Sequence, residues 1–224
     1  VCINESSFAL SGGSPSGGTY SGTGVLGGNF DPSVALVGAH TIKYKFTNGS
    51  GCCDSATAVL TVRALPLIDM DIPVNTICID APSFVLSGGN PTGGVYSGRG
   101  VNAGSFDPAT AGAGNDTITY TVTNNFGCVA SATDTIHVHP LPAVTFTLAQ
   151  PSACIDATAF NLSGGAPLGG TYSGNGVGVS PLFDPANAGG AGPKTITYTY
   201  TNPLTTCTNS ATATLTVNAL PSVS

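Results

Sequence analysis

The chain reads as all-β, built from three tandem antiparallel β-sandwiches, each closed by one disulfide. Three observations predict this. First, the strong helix formers Glu, Lys, Gln, Arg and Met are nearly absent from the 224 residues, while Gly, Ser, Thr, Ala and Val dominate. Second, one string of motifs recurs three times at a fixed period, the mark of an array of like units. Third, hydrophobic residues come in short alternating runs bounded by Gly, Pro and Asn, which reads as strands and turns.

The repeat starts at Cys2, Cys78 and Cys154, which lie 76 residues apart. Phe-x-Leu-Ser-Gly-Gly follows at Phe8, Phe84 and Phe160, then Gly-Gly-x-Tyr-Ser-Gly-x-Gly-Val at Gly17, Gly93 and Gly169. Phe-Asp-Pro comes next, at Phe30, Phe106 and Phe183. An alternating strand is then expected around Ile42-x-Tyr44-x-Phe46, Ile118-x-Tyr120-x-Val122 and Ile196-x-Tyr198-x-Tyr200. A second cysteine follows (Cys52, Cys128, Cys207), then Ser-Ala-Thr, a last alternating strand and Leu-Pro. Ahead of the second and third copies, Ile68, Met70 and Ile72, and Val144, Phe146 and Leu148, predict an additional first strand. Glycines around Tyr20 predict tight turns or close backbone approach. Six or seven short strands per copy, with no helix, fit an immunoglobulin-like sandwich, although the core Trp of antibody domains is missing.

These limits divide the chain into residues 1–66 (first strand missing), 67–142 and 143–221, with 222–224 opening a further copy. A segment cut in this phase is expected to be a window on a longer array.

Six cysteines occupy two equivalent positions per copy. The expected pairing is Cys2–Cys52, Cys78–Cys128 and Cys154–Cys207, with Cys52–Cys78 and Cys128–Cys154 as the alternative. Either scheme requires an oxidising compartment. Cys53 has no counterpart; it is expected to be a thiol packed beside the bridge or one that cross-links chains.

Five basic against eleven acidic side chains exclude the phosphate-neutralising patch of a nucleic-acid binder. No apolar stretch approaches the roughly 20 residues of a membrane helix. Catalysis finds no foothold either: there is no phosphate loop, no nucleophile elbow and no recurring histidine, so the chain is not expected to be an enzyme or to hold a cofactor. Asp31, Asp107 and Asp184, in Phe-Asp-Pro, admit two readings. They could ligate calcium at each unit, or open a turn by accepting from backbone N–H groups. His137 and His139, two apart on one strand face, read as a metal edge or a solvated face.

The ordered motif set, Cys…Phe-x-Leu-Ser-Gly-Gly-x-Pro…Tyr-Ser-Gly-x-Gly-Val…Phe-Asp-Pro…Thr-Ile-x-Tyr…Cys…Ser-Ala-Thr, covers essentially the whole chain. It resembles the Ig-like repeats of very large Bacteroidota surface proteins exported by type IX secretion, among them gliding and attachment adhesins. Copy three departs by lacking the Gly before Cys207. The resemblance implies an extracellular, cell-anchored stalk or filament with its sorting domain and any binding tip elsewhere. It also implies O-glycosylation at Asp-Ser/Thr-aliphatic triplets, which points to Ser55, Thr117 and Thr135. Outward faces poor in charge predict association of identical chains in a homo-oligomer or bundle. The alternative function is a module whose loops bind a glycan or a surface protein.

Overall fold

The computed structural model describes residues 1–223. Its regular structure is almost wholly β, as expected. The chain folds as two compact units. One comprises Val1–Pro73, Val85–Ser105 and Thr117–Thr135; the other comprises Val74–Phe84, Phe106–Asp116 and Ile136–Ser224. Each unit thus joins an outer repeat to part of the middle one, and neither unit ends at a Leu-Pro junction.

The third repeat displays the sandwich most fully. Gly192–Thr201 and Thr208–Asn218 form a ten-pair antiparallel ladder, from Gly192 opposite Val217 to Thr201 opposite Thr208. Thr171–Ser173 adds antiparallel on one side and Ser152–Cys154 adds parallel on the other. The opposing layer consists of Phe160–Asn161 with Leu182–Phe183, and Thr145–Phe146 with Gly165–Ala166. Alternation determines which side chains enter: Ile196, Tyr198, Leu215 and Val217 are buried between the layers with Phe146, Leu162 and Phe183. The first repeat carries the same hairpin, Gly38–Thr47 against Cys53–Val62, over a smaller core of Phe30, Ala35, Ile42 and Val62.

The recurring glycines and tyrosines form one device. Tyr44 Oη accepts from Gly18 N at 2.7 Å and donates to Pro15 O at 2.6 Å, while Tyr20 Oη accepts from Gly13 N. Tyr96 and Tyr120 repeat these bonds with Gly89, Gly94 and Pro91, as do Tyr172 and Tyr198 with Gly165, Gly170 and Pro167. The two rings of each pair lie 4.5–4.8 Å apart at a tilt. Packing a loop directly onto a ring leaves no room for a side chain.

Two expectations are corrected. Each Phe-Asp-Pro opens a helical turn, against the expectation of a copy without helix: Pro32–Ala35, Pro108–Ala111 and the 3₁₀ turn Pro185–Asn187. Aspartate at the N-cap and proline at the first helical position favour such a start even in a β-rich chain.

The second correction concerns the disulfides, which join Cys2 to Cys128 and Cys78 to Cys207, with Cα–Cα distances of 5.6 Å in both. Neither Cys2–Cys52, Cys78–Cys128 and Cys154–Cys207 nor the alternative, Cys52–Cys78 and Cys128–Cys154, is found. The reason is strand direction. The first cysteine of each repeat lies parallel to the far end of that repeat's last strand, with Cys2 opposite Arg63, Cys78 opposite His139 and Cys154 opposite Asn218. The second cysteine stands immediately before the start of the same strand. At about 3.3 Å per residue, the two cysteines of one repeat are separated by roughly 35 Å. A disulfide spans no more than about 7 Å between Cα atoms, so closure within a repeat is impossible.

Introducing one methyl group at the tyrosine device tests its tightness. A Cβ on Gly94 would lie 2.5 Å from Tyr120 Cζ and 2.6 Å from the Thr121 carbonyl. Gly94→Ala is expected to destabilise by about 1–3 kcal/mol, as over-packing does, measured by chemical denaturation. Unchanged stability would show the loop to be loosely held.

Candidate functional site

The feature that distinguishes this fold from a plain string of sandwiches is the junction between repeats. Strand direction brings the end of one repeat's last strand to the hairpin turn of the next repeat, where that repeat's second cysteine sits. At the first junction the Cys2–Cys128 bridge is flanked by a hydrogen bond and a cation–π pair. Asn124 Nδ2 donates to Ala64 O at 3.1 Å, and the Arg63 guanidinium stacks 4.1 Å from the centre of the Phe126 ring. At the second, Cys78–Cys207 is accompanied by Asn209 Nδ2 donating to Pro142 O at 2.9 Å. The Leu-Pro connections therefore carry hydrogen bonds of their own to the following repeat.

Beyond each junction the chain lays its first strand on the next sandwich. Asp69–Met70 pairs with Gly89–Asn90, Asp71 N donates to Gly88 O, and Asp134 Oδ2 accepts from Ile72 N at 2.8 Å. Thr145–Phe146 pairs likewise with Gly165–Ala166, and the Phe146 ring packs 5.4 Å from that of Tyr172. The sequence marks Asp134 only as part of a glycosylation triplet; its strand-anchoring role is hidden there because copies one and three hold alanine at that position.

Cys52, Cys53 and Cys154 carry free, exposed thiols. Cys53 is therefore not packed beside a bridge: it begins the strand Cys53–Val62 opposite Thr47, and its neighbour Cys52 is itself unbridged.

Asp31, Asp107 and Asp184 are N-caps. Their carboxylates accept from the backbone N–H of Ser33, Ala109 and Ala186, and from the Ser33, Thr110 and Asn187 side chains respectively. Among the described residues no three His, Cys, Asp or Glu side chains gather as a metal site requires. The His137 ring meets His139 edge-on, with centroids 4.3 Å apart, and its Nδ1 bonds Asn115 Oδ1. Ser55, Thr117 and Thr135 are exposed on hairpin strands. Asp116, by contrast, is buried, which leaves Thr117 the accessible residue of that pair.

No family model and no curated protein matches the chain. Among solved structures it is similar to a Ca2+-stabilised adhesin with which an Antarctic bacterium binds ice, at 14% identity, covering 96% of this chain and 69% of that one, with a TM-score of 0.38. It is also similar to immunoglobulin domains 1–4 of Sidekick-1 (11%, 89% and 63%, TM-score 0.29). A third is the Bacteroides ovatus protein SGBP-B of a mixed-linkage glucan utilisation locus (15%, 97% and 65%, TM-score 0.22). No helix among the described residues is long and apolar enough to cross a membrane.

The caps have a pH signature. The Ser33 hydroxyl holds the Asp31 carboxyl below its ordinary 3.8, and the Thr110 hydroxyl does the same for Asp107. A carboxyl whose pKa is depressed by folding binds its proton more readily in the unfolded chain. Its stabilisation is therefore complete above that ordinary value and is lost as pH falls through the lower folded one. Denaturation midpoints followed downward from about pH 5 are expected to drop less steeply in the Asp31→Asn, Asp107→Asn double variant. Parallel profiles would remove the caps from acid stability.

Proposed function

We propose that the chain is a load-bearing stalk segment of a large, secreted cell-surface adhesin. It is non-enzymatic and extends a fibre by serial, disulfide-linked sandwiches. The observation that carries this reading is the pair of bridges between successive repeats, Cys2–Cys128 and Cys78–Cys207. Disulfides persist in oxidising surroundings, which supports a place outside the cell. Bridges between neighbours restrain the joints of an array as well as its members, as a spacer under tension needs. The ordered motif resemblance supports Bacteroidota and type IX export. On the same reading, Ser55, Thr117 and Thr135 are the residues for O-glycans, and three repeats, 1–66, 67–142 and 143–221, are its building blocks.

Force spectroscopy tests the mechanical claim. The two closed loops, residues 2–128 and 78–207, overlap. With both bridges intact, the shortest covalent path between the ends runs back from Cys128 to Cys78 and then across to Cys207. It spans 50 residue-to-residue steps in that middle stretch and 17 after Cys207. The oxidised chain is expected to pull out to about 230 Å, against about 760 Å when reduced, at roughly 3.4 Å per residue. Equal lengths in the two states would refute the stalk's covalent reinforcement.

Self-association has a chemical handle. Cys154 is a first-position cysteine and Cys52 a second-position one, the same two types that bridge successive repeats. In a Cys53→Ser background with oxidised glutathione as electron acceptor, Cys52→Ser chains mixed with Cys154→Ser chains are expected to give dimers linked Cys154–Cys52, while each alone stays monomeric. Non-reducing electrophoresis with peptide mapping reads the result. A mixture that remains monomeric, or either variant dimerising alone, would count against head-to-tail joining.

A further inference from the structure

The two later sandwiches each receive a strand that the first does not. Asp69–Met70 lies along Gly89–Asn90, and Thr145–Phe146 along Gly165–Ala166. The equivalent stretch of the first repeat, Gly13–Ser14, pairs with no strand among the described residues. Beside it lies an open, mainly apolar groove of about 420 Å³, floored by Ala56, Ala58 and Leu60 and walled by Leu10, Tyr20 and Tyr44.

Glycine surroundings mark the difference. A Cβ on Gly88 would collide with the Asp71 carbonyl, and one on Gly164 with the Thr147 carbonyl, whereas one on Gly12 meets nothing within 4 Å. Burial agrees. Leu86 and Leu162 are each 4% exposed, while Leu10 is only half-buried. Tyr120 and Tyr198 are 2% exposed against 9% for Tyr44. Ala56 and Ala58 lie open on a strand whose counterparts are half-covered.

We infer that the groove of the first repeat is a strand-acceptor site. Its ligand is an extended peptide of the chain's own junction type, with apolar residues at alternate positions as in Val144-x-Phe146-x-Leu148. The occupied grooves show how such a strand binds. Its backbone pairs antiparallel with Gly12–Ser14, and one N–H reaches the Gly12 carbonyl, as Asp71 N reaches that of Gly88. Its central apolar side chain packs on the tyrosine pair, as Phe146 packs on Tyr172 and Tyr198. This is β-strand addition, in which main-chain bonds supply affinity and alternate side-chain pockets supply specificity. The site rests on the stalk reading only for the source of the strand, which is the first strand of another repeat of this kind, as in the two filled grooves.

The probe is a synthetic peptide of residues 143–150 added to the whole chain, followed by NMR. Shifts are expected at Gly12–Ser14 and Ala56–Leu60. A scrambled peptide with Phe146 moved to an odd-numbered position should bind about tenfold more weakly, because a one-residue slip turns the apolar set outward. Ala58→Arg, on an exposed position that folding does not use, should abolish binding. Ala58→Asp should strengthen it, because Asp134 at the equivalent position bonds the incoming Ile72 N–H. Joining residues 143–153 ahead of Cys2 in place of Val1 should fill the groove in cis and eliminate peptide binding. Absence of shifts at both stretches, or binding indifferent to Ala58→Arg or to the joined segment, would overturn the site. Neither result bears on the disulfide-dependent pulling lengths, so the stalk reading stands or falls separately.

Discussion

The constraint from which the array follows is the direction of one short strand. Thr76–Cys78 runs parallel to the end of Val129–His139, and Ser152–Cys154 does the same against Thr208–Asn218. Parallel alignment carries the first cysteine to the opposite end of the sandwich from the second, a strand's length of about 35 Å away. Once separated in this way, neither thiol can find its partner within its own repeat. Cys2 and Cys78 instead meet Cys128 and Cys207 of the following repeats, and an oxidising environment turns proximity into a bond. The hydrogen bonds from Asn124 to Ala64 and from Asn209 to Pro142 lie at the same junctions. They are individually modest, about 1 kcal/mol, but they act on termini already held by covalent links.

Much of the local structure is legible in the residues. Alternation in Ile196-x-Tyr198 identifies the buried side chains, and Gly-Gly flanking the Tyr-Ser-Gly motif announces a close approach. Asp-Pro points to a backbone-capping carboxylate, although not to the helical turn that it caps, because nothing else in the copy favours helix. The thiol partners are not legible, since spacing along the chain says how large a loop a bridge closes and nothing about strand direction. A clue is nonetheless present. The alternating residues between Cys128 and Leu141 form one strand long enough to cross the sandwich, and a first cysteine paired at its far end is out of reach. The open groove is half legible, in the missing first strand of copy one, but only the filled grooves of the other two reveal what belongs there.

The tyrosine device explains why so glycine-rich a chain holds a defined shape. A hydroxyl that both accepts from Gly94 N and donates to Pro91 O fixes a loop that lacks side chains of its own. The ring beneath it contributes apolar area that the small residues nearby cannot. Glycine costs conformational entropy on ordering, and three bonds per tyrosine pair to backbone atoms offset part of that cost where no Cβ could be accommodated. The device also forms the wall against which a first strand lies, so loop, tyrosine pair and incoming strand depend on one another.

Overlap of the two closed loops has a consequence for cooperativity. In ordinary repeat arrays each unit touches its neighbours through a non-covalent interface, and stability is close to a sum of unit and interface contributions. Here residues 78–128 belong to both loops, so the middle repeat cannot be drawn out without straining both bridges. The chain's compact units reflect the same sharing, since each gathers an outer repeat with part of the middle one. A sandwich of this size has a small core of its own, and a domain so small is marginal alone. Closing loops of 126 and 129 residues removes unfolded-state entropy worth about 5 kcal/mol each in the chain-entropy description. That is as large as the net stability of a small domain. What individual repeats lack in core they gain through their neighbours, and the bond that stabilises the fold is also the one that would transmit force.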